Sequence, residues 1–65
     1  MKTHLYAVEI RWSDEDAGYI ATVPALPGCS SYGAVRGEAA EQIDDAIAAW
    51  IKAAKKAGNK VPQPT

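Results

Sequence analysis

Across residues 5–12 the side chains alternate, with Tyr6, Val8, Ile10 and Trp12 on one side and Ala7, Glu9 and Arg11 on the other. From residue 36 the repeat changes, and Ala39, Ile43, Ala46, Ile47, Trp50, Ile51 and Ala54 fall on one broad stripe. A period of two in aromatic and β-branched residues is that of a half-buried strand; recurrence every three to four residues is that of an amphipathic helix. In a chain of 65 residues, this switch leaves room for one domain, with strands first and a helix after them.

The segment Ser13-Asp14-Glu15-Asp16-Ala17-Gly18 is polar, ends in glycine and reads as a hairpin loop. Residues 19–23 form the return strand, stopped by Pro24, which cannot donate to a ladder. Placing Trp12 opposite Tyr19 sets Ile10 against Ala21 and Val8 against Val23. That register gathers the apolar residues of both strands on one face, and a one-residue slip scatters them. Leu26-Pro27-Gly28-Cys29 suits a type II turn, because proline fixes φ at the second position and glycine supplies a positive φ at the third. Residues 29–32 read as a short third strand ended by Gly33.

The spacing predicts a helix over 36–57, with acids in its first half and Lys52, Lys55 and Lys56 at its end, as the macrodipole favours. Gly58 stands where a C′ residue belongs. The helix start is weaker: Val35 offers no side-chain acceptor as N-cap, and Gly37 lowers propensity in the first turn. That end is expected to fray or to be held by tertiary contacts. Residues 61–65, Val-Pro-Gln-Pro-Thr, cannot be helical. They read as an extended arm with room for a short C-terminal strand along a sheet edge or a neighbouring subunit. The expected fold class is therefore α+β: a three-stranded antiparallel sheet with one long helix on one face, in the order β-β-β-α.

Cys29 is the single cysteine and His4 the single histidine, so neither an intramolecular disulfide nor a zinc site with N/S ligands can staple the fold. In a domain this small, burial and chain entropy nearly cancel, and a second subunit is the remaining source of burial. A homodimer or higher oligomer is expected. A lone thiol, a start without a signal-peptide pattern and the lack of an apolar run approaching ~20 residues point to a cytoplasmic protein with no membrane span. His4 reads as a terminal surface residue. Net charge is −1, which leaves no electrostatic footprint for nucleic acid. The acids are segregated: Asp14, Glu15 and Asp16 lie in the hairpin, and Glu38, Glu41, Asp44 and Asp45 in the helix.

No catalytic set emerges. Three consecutive acids on a loop do not converge on one ion without further oxygen ligands, so Asp14-Glu15-Asp16 reads as a solvated turn or a partner-facing patch. Cys29 would need an activating base and reads instead as a packed structural thiol. Gly28 and Gly33 lack the spacing of a phosphate loop. Trp12 and Trp50 read as core or interface anchors. Neither enzyme activity nor a cofactor or metal is expected.

The run from Trp12 to Cys29, an acidic hairpin followed by Gly18-Tyr19, alternating apolar residues and Pro24-Ala25-Leu26-Pro27-Gly28-Cys29, closely resembles the HicB family of type II toxin–antitoxin antitoxins. The likeness continues through Tyr32-Gly33, Glu38-Ala39, Ala46-Ile47, Gly58 and Val61-Pro62-Gln63-Pro64, and so spans nearly the whole chain. The resemblance marks Gly18, Tyr19, Pro24, Leu26, Pro27, Gly28 and Cys29 as the structural motif. It implies a partly degraded ribonuclease-H-like fold without the nuclease's acidic site, and neutralisation of a small HicA-type toxin, an mRNA-cleaving protein with a catalytic histidine. Asp14, Glu15, Asp16, Glu38, Glu41 and Asp45 are then the candidate partner-binding residues, complementary to a basic RNA-binding toxin.

Two features depart from the family pattern. Val35 and Gly37 replace the usual helix cap and the acidic position after it. Residues 1–65 read as a single HicB-like domain, without the C-terminal DNA-binding domain that many members carry, so direct DNA binding is not expected. The alternative is a solitary HicB-like homo-oligomeric protein-binding domain with no cognate toxin. A residual nuclease is disfavoured because, apart from Glu9, the acids occupy the turn and the helix and form no convergent set for metal ions.

Overall fold

The computed structural model describes residues 5–63. His4, Pro64 and Thr65, which enter the expectations above, lie outside the described residues. Three strands, β1 (Glu9–Ser13), β2 (Gly18–Thr22) and β3 (Ser30–Gly33), precede one helix, α1 (Arg36–Lys56). The strands form an antiparallel sheet in the order β1-β2-β3. This is the α+β arrangement that the period switch predicts.

The hairpin register is as expected at its core: Trp12 lies opposite Tyr19 and Ile10 opposite Ala21. The first strand is shorter than the alternation suggests. The ladder starts at Glu9↔Thr22, so the expected Val8–Val23 pair lies beyond it. Residues 5–8 are not strand, and Tyr6 is buried by leaving the sheet plane and joining the core. Its hydroxyl donates to the carbonyl of Pro62 at 2.6 Å. That contact, with Val61 packed against the core, folds the C-terminal arm back onto the domain's own interior. No strand forms between residues 57 and 63, so the terminal strand is not seen among the described residues.

Two consecutive turns join β2 to β3, each with proline in its second position. Leu26 N–H donates to Val23 O at 3.0 Å, Cys29 N–H to Leu26 O at 3.0 Å, and Val23 N–H to Cys29 O at 3.2 Å, closing the loop on itself. Gly28 has φ +79°, the left-handed conformation that a type II turn requires of its third residue. The turns aim Val23, Leu26 and Cys29 inward, and all three are buried. From the other side, Trp50 Nε1–H donates to Pro27 O at 2.9 Å and ties the turn to the helix.

The helix stripe is buried as expected at Ala39, Ile43, Ile47, Ile51 and Ala54, with Ala46 and Trp50 packed at its margin. Val35 is the N-cap and makes no side-chain cap bond. Two contacts hold the start in its place. Glu38 Oε1 accepts the Ala34 N–H at 2.7 Å, and Ser31 Oγ donates to Ala39 O at 2.9 Å. Gly33 lies directly against the Ala39 backbone, where a Cβ would have no space. The C-terminus closes with the Schellman pair of bonds, Gly58 N–H to Lys55 O at 3.1 Å and Asn59 N–H to Ala54 O at 2.8 Å.

The two-residue link Ala34-Val35 starts α1 beside β3, so the helix lies chiefly over β3 and β2 and barely reaches β1. This corrects the expectation of a half-buried first strand. The helix-side residues Val8, Ile10 and Trp12 are 36%, 36% and 52% exposed. One helix of ~10 Å diameter cannot roof three strands ~4.8 Å apart once it is anchored at the third.

Candidate partner-binding surface

The hairpin tip carries Asp14, Glu15 and Asp16, all exposed, and its conformation is held by specific bonds. Trp12 Nε1–H donates to Asp14 Oδ1 at 2.6 Å. Ser13 Oγ donates to Asp16 Oδ2 at 2.9 Å and accepts the Asp16 N–H at 3.4 Å. Tyr32 crosses from β3 and donates to the carbonyl of Asp16 at 3.2 Å, with Ala17 O at 3.4 Å. The Tyr32 ring occupies the space a Cβ on Gly18 would need. That close approach explains the glycine; the positive φ of the loop falls on Ala17, at 52°.

The helix start stands at the same end of the sheet as this loop, because Tyr19 pairs with Gly33 two residues before Val35. Trp12 packs edge-on to Tyr19 with ring centroids 5.3 Å apart, and the Arg36 guanidinium lies over the Tyr19 ring at 5.4 Å. Glu38 therefore shares the hairpin's end, although its carboxylate is engaged by Ala34 N–H. Glu41 and Asp45 stand farther along the exposed side of α1, on the same helical stripe as Glu38. The acids thus form a tip and a stripe rather than one convergent cluster. Among the described residues, no three His, Cys, Asp or Glu side chains come close enough to hold a metal ion.

Cys29 is buried beneath the double turn, and burial pushes its thiol above the ordinary 9.0. A protonated, covered thiol is a packing group and not a nucleophile at neutral pH. Glu9, the one acid on a strand, is exposed and pairs with Arg11 at 3.2 Å. A shallow apolar depression of about 370 Å³ lies at the helix end between Trp50, Ala53, Ala54, Ala57 and Asn59.

The residues of the hairpin tip and of the Pro-Ala-Leu-Pro-Gly-Cys double turn fall within a match to the family model described as HicB_like antitoxin of bacterial toxin-antitoxin system, which covers residues 6–65. The chain belongs to the HicB-like antitoxin family. It is 46% identical over 50 residues to the UPF0150 protein Ta0767 of Thermoplasma acidophilum, an alignment covering 77% of this chain and 72% of that protein. No solved structure matches the chain significantly. In this HicB-like domain the family signature has a structural meaning: Gly18 admits Tyr32, and the double turn seats Leu26 and Cys29 under the helix while offering Pro27 O to Trp50. No helix among the described residues is long and apolar enough to cross a membrane.

The exposed apolar row of β1 is the surface feature that alternation alone misses. Its signal in the sequence is the two-residue link after Gly33, which forces α1 to start over the far strand.

Proposed function

We infer that this domain neutralises a small basic HicA-type toxin, an mRNA-cleaving protein, by docking its acidic tip and helix acids across the toxin's active site. The reading rests on membership of an antitoxin family, and the observation that carries it is the exposed Asp14-Glu15-Asp16 tip braced by Trp12, Ser13 and Tyr32. A braced tip loses little conformational entropy on docking, and negative charge there steers a cationic partner into contact. Asp14, Glu15, Asp16, Glu38, Glu41 and Asp45 make up the contact surface. The domain acts without catalysis and without a cofactor, in the cytoplasm where mRNA is cleaved. Its sheet and helix are read as the remnant of a ribonuclease-H-like fold. Co-expression with a neighbouring small basic toxin tests the reading: growth is restored if it holds, and undiminished growth arrest refutes it.

A second reading, a solitary HicB-like domain that assembles with itself, is favoured by one observation, the uncovered row Val8, Ile10 and Trp12. The presence or absence of a toxin gene beside this one separates the two.

A further inference from the structure

Among the described residues, strand β1 is one edge of the sheet, with β2 as its only neighbouring strand. Its two faces differ. On the helix side stand Ile10 and Trp12, with Val8 just before the strand, each a third or more exposed. On the outer side stand Glu9 and Arg11, joined to one another at 3.2 Å and well exposed. Natural edges are usually blunted by proline or an inward-pointing charge. The segment 8–12 has neither: its charges point outward and its inward row is entirely apolar.

We propose that β1 pairs antiparallel with β1 of a second copy of this chain, across a two-fold axis perpendicular to the sheet and passing through Ile10. A perpendicular axis keeps each face of the sheet on its own side, so every cross-strand pair joins residues of like orientation and one residue must sit on the axis. With Glu9 on the axis, two carboxylates oppose each other. With Arg11 on the axis, two guanidinium groups do. With Ile10 on the axis, each Glu9 faces an Arg11 and each Val8 faces a Trp12, while Ile10 meets its own copy. Opposite charges and aromatic–β-branched pairs stabilise cross-strand contacts, and like charges directly opposite destabilise them. Of these three registers at the centre of the strand, only the one through Ile10 satisfies both faces.

The surface is also prepared for this partner. Trp12 is fixed by its bond to Asp14 and its edge-on contact with Tyr19, so it has little side-chain freedom to lose. The pairing makes one six-stranded antiparallel sheet, β3-β2-β1-β1-β2-β3, with both helices on one face. It lays the two apolar rows side by side between the helices, pairs their side chains across the new seam and buries edge surface in a chain whose single cysteine allows no intramolecular disulfide. This assembly goes beyond toxin binding and stands or falls independently of it.

Charge reversal at the full chain tests the register. Sedimentation across a micromolar to hundred-micromolar range is expected to show a dimer for the natural chain. Glu9→Arg and Arg11→Glu, taken singly, each put like charges opposite at two symmetric positions and weaken the dimer by about 10-fold or more. The double reversal Glu9→Arg with Arg11→Glu re-creates both pairs and restores the dimer to within about 3-fold. Far-UV circular dichroism verifies the helix in each variant. Amide exchange of the natural chain needs no variant: protection across residues 9–13 should rise with protein concentration. A natural chain that stays monomeric, a dimer indifferent to either single reversal, a double reversal that fails to recover, or a β1 that gains protection only when a different protein is added each overturns the proposal.

Discussion

Replacing Gly33 by alanine tests the packing that sets every other position in the fold. A Cβ on Gly33 would come 2.2 Å from Ala39 N and 2.8 Å from the Glu38 carbonyl carbon, both backbone atoms. No side chain can swing aside to make room, so the helix start must lift from β3. That movement strains the Ser31–Ala39 bond and loosens the first turn above Ala39. Overpacking of this kind costs about 1–3 kcal/mol. The loss of one part-buried hydrogen bond adds about 1 kcal/mol. The expected destabilisation is therefore about 2–4 kcal/mol. For so small a domain the urea m-value is about 1 kcal/mol per M, so the midpoint should fall by about 2 M or more, or the folded state should be lost. Gly37→Ala is the matched control. Its Cβ meets nothing within 4 Å and its site is helical, so it should stabilise by about 0.5–1 kcal/mol. Both variants are followed by circular dichroism in urea at one fixed protein concentration, because any self-association links stability to concentration. Equal midpoints for Gly33→Ala and the natural chain would refute the close β3–α1 contact on which the exposure of β1 depends.

Other consequences are equally specific. Ala17 holds φ 52°, so Ala17→Gly should stabilise the hairpin by about 1 kcal/mol in the same urea assay. Trp50→Phe keeps an aromatic ring but removes the donor to Pro27 O, and should lower stability by about 1 kcal/mol with circular dichroism otherwise unchanged. Because burial raises the Cys29 thiol in the folded state, the unfolded chain releases that proton first; stability is full below pH 9.0 and declines as pH rises above it. Cys29→Ala should flatten that alkaline slope while lowering stability at neutral pH. The thiol itself should react with a disulfide reagent at pH 8 far more slowly than it does in urea, since β2–β3 turn and helix cover it.

Much of this fold is legible in local rules. The Trp12–Tyr19 register follows from alternation, the Gly28 turn from its proline and glycine, and the helix end from Gly58, because each depends on residues adjacent in sequence or directly opposite. Coverage is not local. Whether Val8, Ile10 and Trp12 are buried depends on where α1 lies, and that is set by the short link at Ala34-Val35 and the contact of Gly33 with Ala39. Tyr6 shares the parity of Val8 yet is buried, because the chain leaves the ladder before Glu9 and the tyrosine finds a partner in Pro62. The left-handed loop residue is Ala17 rather than Gly18, since the glycine is needed under the Tyr32 ring. For the candidate surface, the acids are where helix and hairpin periodicity put them. The bracing of the tip by Trp12, Ser13 and Tyr32 emerges only in three dimensions, because Tyr32 comes from a different strand.

The most direct test of the antitoxin reading is a binding measurement between this chain and a small basic toxin of the proposed HicA type from the same genome, with and without the tip charges. The triple amide variant Asp14→Asn, Glu15→Gln, Asp16→Asn removes three charges but leaves oxygens to accept from Trp12 and Ser13, so the loop geometry is retained. Tight binding by the natural chain is expected, with association slowed about 10-fold or more in the variant and a weaker dependence on salt. No binding by the natural chain, or equal association rates for both proteins at low salt, would contradict the account.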